Sequence, residues 1–308
     1  MKIGFPKGLL YCDYYPFFNT FFNELGCNVV TSPDTNKNIL NLGIKYCVDE
    51  ACLPIKIFHG HAAYLKDKCD YIFIPRIMSI SKGESICPKF CGLPEMIKNS
   101  IPDLPKIISY PIYMDTEKNF MKFIRKCGHE FTKSSFKIQK SYIKAKTVQN
   151  TFNSKKSSHK LHSTRVALVG HPYNIWDTFS NLNLVNKLDN FNISILTEKD
   201  IDENFINNEI NNLFKKPFWT FARKSYGFST FAAKNHLVDG IIYISSFACG
   251  IDSVIIDLIK KELKNFPILV LKIDEQTGEA GFNTRLEAFS DMLERRYDFN
   301  DNNISSIR

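Results

Sequence analysis

A doubly wound α/β fold, built twice over as two parallel-sheet domains, is what this sequence predicts. Short apolar runs alternate with amphipathic helical stretches in both halves of the chain, Gly or Pro punctuates nearly every junction, and one polar, turn-rich segment interrupts the rhythm at Asn153–Lys160. Strands separated by helical patterns make βαβ units, and βαβ units make parallel sheets. The interruption reads as a linker. Three segments follow: an N-terminal α/β domain over residues 1–115, a basic helical segment and linker over 116–162, and a C-terminal α/β domain over 163–308.

In the first domain, strands are expected at Lys2–Phe5, Asn28–Thr31, Tyr71–Ile74 and Lys106–Ser109, each a short apolar or β-branched run. Helices are expected at Tyr14–Leu25, Asn36–Leu42, Leu53–Lys66 and Leu93–Asn99, where apolar residues recur at helical spacing. From Thr116 to Phe152 the pattern is helical, with Ser134 or Ser135 as the N-cap of a helix through Ile138, Ile143 and Val148. The alternation restarts with strands at Arg165–Val169, Ile193–Thr197, Gly240–Ser245 and Ile268–Ile273. Between and after them come helices at Trp176–Leu188, Ile201–Phe214, Pro217–Asn235, Ser253–Leu263 and Thr284–Arg295. The polar tail Asp298–Arg308 is expected to fray.

With 308 residues and 44% hydrophobic content the chain can bury a sizeable core. The N-terminus runs straight into a strand without a secretory pattern, and no apolar run reaches membrane-spanning length. Nine cysteines, an odd number in a chain of this size, argue for a reducing cytoplasm and against a disulfide framework. The net charge of +8 is concentrated: Lys118–Lys160 holds twelve Lys and Arg against one acid, Glu130. Such a stretch suits an acidic partner, a phosphorylated ligand or nucleic acid, but a solvated helix face leading into a linker is the simpler account. No nucleic-acid-binding motif accompanies the charge.

Four cysteines carry the chemistry. They are Cys52, before Leu53-Pro54; Cys87 and Cys91, in Cys-Pro-Lys-Phe-Cys-Gly; and Cys249, before Gly250. Each lies beside Gly or Pro at an expected strand end, where ligands of open α/β sheets collect and where helix N-termini favour negative charge. Thiolates gathered from remote loops suit an iron-sulfur cluster or a zinc ion. Structural zinc usually takes close Cys-x-x-Cys pairs, so ligands this widely separated favour iron-sulfur. Cys12, Cys27, Cys47, Cys69 and Cys127 read as small buried hydrophobes, with a spare or additional ligand as the other reading of Cys47, five positions before Cys52.

The runs Val-Asp-Glu-Ala-Cys-Leu-Pro ending at Pro54, Phe-Ile-Pro-Arg ending at Arg76, Ile-Cys-Pro-Lys-Phe-Cys-Gly ending at Gly92, Gly-His-Pro-Tyr-Asn ending at Asn174, Phe-Ala-Cys-Gly-Ile-Asp-Ser ending at Ser253 and Asp-Glu-Gln-Thr-Gly-Glu-Ala-Gly ending at Gly281, then Thr284–Phe289, resemble the acyl-CoA dehydratase activase-related proteins. These belong to the 2-hydroxyacyl-CoA dehydratase superfamily. The resemblance covers nearly the whole chain. It implies two flavodoxin-like, Rossmann-like domains with an oxygen-sensitive [4Fe-4S] cluster, in an anaerobe. It implies ligand roles for Cys52, Cys87, Cys91 and Cys249. It also implies low-potential electrons delivered in trans by an ATP-hydrolysing activase and passed to an acyl-CoA thioester or another small substrate, with a homo- or heterodimer left open. The other reading is a non-catalytic module in which a cluster or zinc ion staples the domains and docks a partner. Two positions depart from the family: Gln276 stands where His is usual, and Ile251 where Pro is usual. No phosphate-binding Gly-rich loop is present, so an activase module of its own is not expected.

Other polar residues are weaker candidates. His59 and His61 stand two apart on an expected helix, which turns their rings to different faces and makes them a poor chelate with structural or surface roles. His171 and Tyr173 follow a strand end and either face the cleft or satisfy a turn. Glu279, Arg285 and Glu287 suggest an ion-paired loop, closing a cleft, meeting a partner or serving structure alone. A Ser-His-Asp triad finds no nucleophile elbow.

Overall fold

A computed structural model describes residues 1–154, 162–211 and 213–305, with side chains to 296. The chain divides into two compact units, Met1–Lys156 with Phe218–Thr220, and Ser157–Pro217 with Phe221–Arg308. Each is α/β with a four-stranded, fully parallel sheet.

The first unit opens with β1 (Lys2–Phe5), α1 (Tyr11–Glu24), β2 (Asn28–Thr31), α2 (Lys37–Tyr46) and α3 (Leu53–Leu65). It continues through β3 (Tyr71–Phe73), β4 (Arg76–Ser79), α4 (Pro88–Cys91), α5 (Leu93–Ser100), β5 (Lys106–Ile108) and β6 (Pro111–Tyr113). Its last helices are α6 (Glu117–Gly128) and α7 (Ser135–Asn153), the latter capped by the Ser134 hydroxyl, which accepts from the Lys137 N–H at 3.2 Å. Strand order is β2-β1-β3-β5, so the chain reverses its direction of winding between β1 and β3. The short β4 and β6 pair separately, an extra ribbon that three- and four-residue runs did not betray in the sequence.

Phenylalanine fills this core. Phe5 on β1, Phe18 and Phe22 on α1, Phe73 on β3 and Phe123 on α6 make a ring network, with Phe18 and Phe73 centroids 4.8 Å apart. Helix α7 packs on α1 through a side chain that repairs the backbone. Pro16 lies inside α1, and beside it the Phe17 N–H donates to the Gln149 Oε1 at 3.1 Å while Gln149 Nε2 donates to the Asp13 carbonyl at 2.8 Å. Part of the basic stretch is likewise structural: Lys144 pairs with Glu24, Lys146 with Glu117, and Glu130 with Lys106. Lys155, Lys156 and Lys160, and most of the expected linker, lie outside the described residues.

Helices α2 and α3 meet backbone to backbone. A Cβ on Gly60 would stand 1.9 Å from the Ile39 carbonyl oxygen, and one on Gly43 2.0 Å from that of Lys56, so only hydrogen fits at either position. This contact buries His59 and His61 and corrects the surface alternative for both. They are structural: His59 Nδ1 meets the Ile55 carbonyl at 2.8 Å, and His61 Nε2 meets the Thr35 hydroxyl at 3.1 Å.

The second unit runs β7 (Thr164–Gly170), α8 (Pro172–Trp176), α9 (Leu184–Asn190), β8 (Ile193–Leu196), a 3₁₀ turn at Glu198–Asp200 and α10 (Glu203–Ile210). Then come α11 (Thr220–Lys234), β9 (Gly240–Ser246), α12 (Gly250–Glu262), β10 (Ile268–Ile273) and α13 (Glu279–Ser305). Strand order β10-β9-β7-β8 places its winding reversal between β7 and β9. The single helix expected over Trp176–Leu188 is instead two. Asp177 accepts the N–H groups of Phe179 and Ser180 at 3.1 and 2.9 Å, and Leu182 and Asn183 have positive φ, which no α-helix sustains. The tail expected to fray from Asp298 is helical to Ser305, because neither Gly nor Pro interrupts it; residues 306–308 lie outside the described residues.

Candidate metal centres

Three of the four sequence-selected cysteines belong to the first unit. Cys52 is the N-cap of α3 and Cys87 the N-cap of α4, each followed by a proline within the first two helical positions. Cys91 closes α4 one turn later. The strand-end placement needs correction for Cys52, which follows α2 through a loop, because α3 precedes the next strand of the sheet.

The thiols gather about two cations. Lys89 Nζ donates to Cys52 Sγ at 3.6 Å, and the Lys89 ammonium and N–H both favour the Cys87 thiolate. Arg76 favours that of Cys91, whose thiol donates to the Ile77 carbonyl at 3.6 Å. Burial outweighs these cations and pushes Cys87 and Cys91 up. Cys52 and Cys91 each raise Cys87 further, the signature of negative charges sharing one neighbourhood. Cys47, the C-cap of α2, is also raised by burial and feels Cys52 and Lys89, so it stands beside the same group.

Arg76 shapes this loop as well as its charge. It donates to the Cys91 carbonyl at 3.0 Å and to the Ser109 carbonyl at 3.3 Å, and it pairs with Glu95. Upstream, the Ser85 N–H donates to the Phe218 carbonyl at 2.7 Å and the Thr220 N–H to the Ser85 carbonyl at 3.0 Å. A strip from far along the chain thereby anchors the approach to Cys87. Arg76 sits in the Phe-Ile-Pro-Arg run noted in the sequence, but a partner thirty-three residues away has no sequence signature.

Cys249 lies in the second unit, as the N-cap of α12. Its neighbours there are His171 and Asp252, and one ligand atom from each of the three lies within 4.8 Å of the others. Gly170 delivers His171: at φ +150°, with a Cβ position only 2.4 Å from the Ile244 carbonyl, it lets β7 end tightly against β9. Cys249 follows Ala248, which at φ 64° stores strain in the loop after β9. Both strands therefore present ligands at their carboxyl ends, at the reversal of winding where open α/β sheets bind.

A buried polar chain fixes the group. Asp252 Oδ1 accepts from the Tyr243 hydroxyl at 3.0 Å and lies 2.9 Å from His171 Nε2, while His171 Nδ1 lies 2.9 Å from the Tyr173 hydroxyl. Asp252 is 1% exposed and His171 4%. Burial and the Asp252 carboxylate raise Tyr243 far above its ordinary range, so it stays a donor. His171 was a sequence candidate. Asp252 and Tyr243 were missed as site residues, although the three-residue spacing of Cys249 and Asp252 puts them on one helical face. Glu279 bonds not with Arg285 but with Lys187, at 2.7 Å, because α9 packs beside the start of α13.

Fold and donor groups together define a parallel-sheet α/β protein carrying thiol and His-Cys-Asp groups suited to metal ligation. The chain belongs to the family described as the CoA enzyme activase uncharacterised domain, which matches residues 2–201. That match takes in Cys52, Cys87, Cys91 and His171 and ends before Cys249 and Asp252. No curated protein matches the chain. A solved structure similar over its length is a mutant of a manganese-bound periplasmic metal-binding protein from Candidatus Liberibacter asiaticus. It is 12% identical, with 96% of this chain and 99% of that chain covered, at a TM-score of 0.29. Among the described residues no helix is long and apolar enough to cross a membrane.

Proposed function

We propose that this activase-related protein is an iron-sulfur electron carrier of the 2-hydroxyacyl-CoA dehydratase superfamily. Cys52, Cys87 and Cys91 would hold the cluster, of the [4Fe-4S] type, through their thiolates. The resemblance also implies a cluster role for Cys249; that thiol belongs to the second unit and is assigned below to a separate group. Low-potential electrons come singly from a separate ATP-hydrolysing activase and pass to an acyl-CoA thioester or another small acceptor.

The observation that supports this reading is the gathering of three thiols from two loops of one unit around Lys89 and Arg76. Thiolate-ligated clusters carry net negative charge, which adjacent cations and the first amides of a helix offset. When bound, the cluster supplies one-electron chemistry. The protein contributes the thiolates and the cations that hold them.

The test is anaerobic purification with iron and sulfide analysis and electron paramagnetic resonance. A cluster reduced only with activase and ATP is expected, and alanine at Cys52, Cys87 or Cys91 abolishes it. A colourless protein holding stoichiometric zinc in those three thiols refutes the reading in favour of a metal-stapled docking module.

A further inference from the structure

We infer that the second unit binds a single divalent cation of the zinc class through His171 Nε2, Cys249 Sγ and Asp252 Oδ2. This site stands independently of any cluster in the first unit.

The donor set is the first ground. Imidazole, thiolate and carboxylate together suit zinc and its cobalt surrogate, and three protein ligands leave the fourth tetrahedral position to water. Here all three come from loops and a helix end at the carboxyl edge of β7 and β9, with one imidazole nitrogen, the sulfur and one carboxylate oxygen mutually within 4.8 Å. Bonds of about 2.0–2.3 Å require only that these atoms draw in around one centre. The 2.9 Å contact between His171 Nε2 and Asp252 Oδ1 is a hydrogen bond, which ligation replaces as Nε2 turns its lone pair to the ion.

The second ground is an unsatisfied atom. Asp252 Oδ2 is buried without a hydrogen-bond partner, although its residue is 1% exposed. A buried carboxylate oxygen left unpaired costs on the order of 1–3 kcal/mol, more when charged. A cation at Oδ2 removes that cost and leaves the Tyr243 bond to Oδ1 intact.

The third ground is the surrounding support. Metal-bound histidine generally engages its other nitrogen with a polar neighbour, and Tyr173 stands 2.9 Å from His171 Nδ1 for that purpose. Phe221 packs edge-on to the same ring at 5.1 Å, which holds its plane and narrows access for water. Tyr243 does for the carboxylate what Tyr173 does for the imidazole. Such a site needs no thiol from the first unit, and the residue after Cys249 is glycine with open space around its Cβ position.

The experiment is cobalt titration of the full chain in a Cys52→Ser/Cys87→Ser/Cys91→Ser background, freed of metal by chelation. One equivalent of Co²⁺ is expected to bind with a near-ultraviolet thiolate charge-transfer band and tetrahedral visible bands. Cys249→Ser removes the charge-transfer band, His171→Gln and Asp252→Asn each weaken binding, and Tyr173→Phe weakens it about 10- to 100-fold. Circular dichroism of each variant confirms the fold. If the triple background does not fold, cobalt equivalents are counted in the wild-type chain and in Cys249→Ser, with a loss of one expected. Absence of the thiolate band, its persistence in Cys249→Ser, or unchanged affinity in Asp252→Asn overturns the assignment. Loss of iron from the first unit alone does not bear on it, so this inference and the cluster reading fail separately.

Discussion

His61 makes the first unit acid-labile by an amount the structure allows to be worked out. The side chain is fully buried in α3, its Nε2 meets Thr35, and its Nδ1 has no partner. Burial, then the Lys7 ammonium, hold it at about 3, far below the ordinary 6.5, with Asp34 opposing. Between those values the unfolded chain binds a proton that the native chain refuses, so stability falls as pH falls from 6.5 toward 3. Integrating that difference gives a loss of about 2 kcal/mol between pH ~8 and pH ~5, and about 5 kcal/mol over the whole interval. The comparison that isolates it is wild type against His61→Gln, whose amide keeps a polar atom near the Thr35 hydroxyl but does not titrate. His59 is also lowered by burial and contributes in the same direction in both proteins, so it cancels. Hydrogen exchange of the α3 amides during urea unfolding, at the two pH values, reads the first unit without the second. The variant should lose about 2 kcal/mol less than wild type on acidification. Equal losses would refute the claim that His61 is kept neutral. The consequence reaches the thiols, since α3 is the helix that Cys52 caps.

Two further outcomes follow from the same packing and electrostatics. Gly60→Ala places a methyl 1.9 Å from a carbonyl oxygen of the facing helix and should cost about 3 kcal/mol or more, seen as a fall in Tm, whereas Gly281→Ala, with nothing within 4 Å, should leave Tm unchanged or raised. Because burial raises Cys47, Cys87 and Cys91, metal uptake by the first unit must expel protons; in Cys249→Ser, apparent cobalt affinity should rise about tenfold per pH unit for each proton released, and a pH-independent affinity would contradict the burial of these thiols.

Much of this architecture is legible in the sequence. The strand over Lys2–Phe5 and that over Ile268–Ile273 read directly from apolar runs, since buried parallel strands are continuous in hydrophobicity. Helix-to-strand alternation announced both parallel sheets. What failed were places where side chains override periodicity. Asp177 captures two amides and splits a helix that the apolar pattern alone would continue. The β4–β6 ribbon failed for another reason, being too short to show alternation.

The candidate sites divide in the same way. Cys52, Cys87, Cys91 and Cys249 drew notice because Cys beside Pro or Gly at a loop is a chemical pattern, and chemistry at adjacent positions is written in sequence. The cations at Lys89 and Arg76, and the chain Tyr173–His171–Asp252–Tyr243, came from residues whose types were visible but whose meeting was not. His171 and Asp252 are separated by 81 residues and meet at 2.9 Å. Sequence by itself determined the fold class and the residues able to bind metal, because hydrophobic period and side-chain chemistry are local properties. Tertiary structure alone decided which of them share a site, because a winding reversal in a parallel sheet brings together loops that no local rule connects.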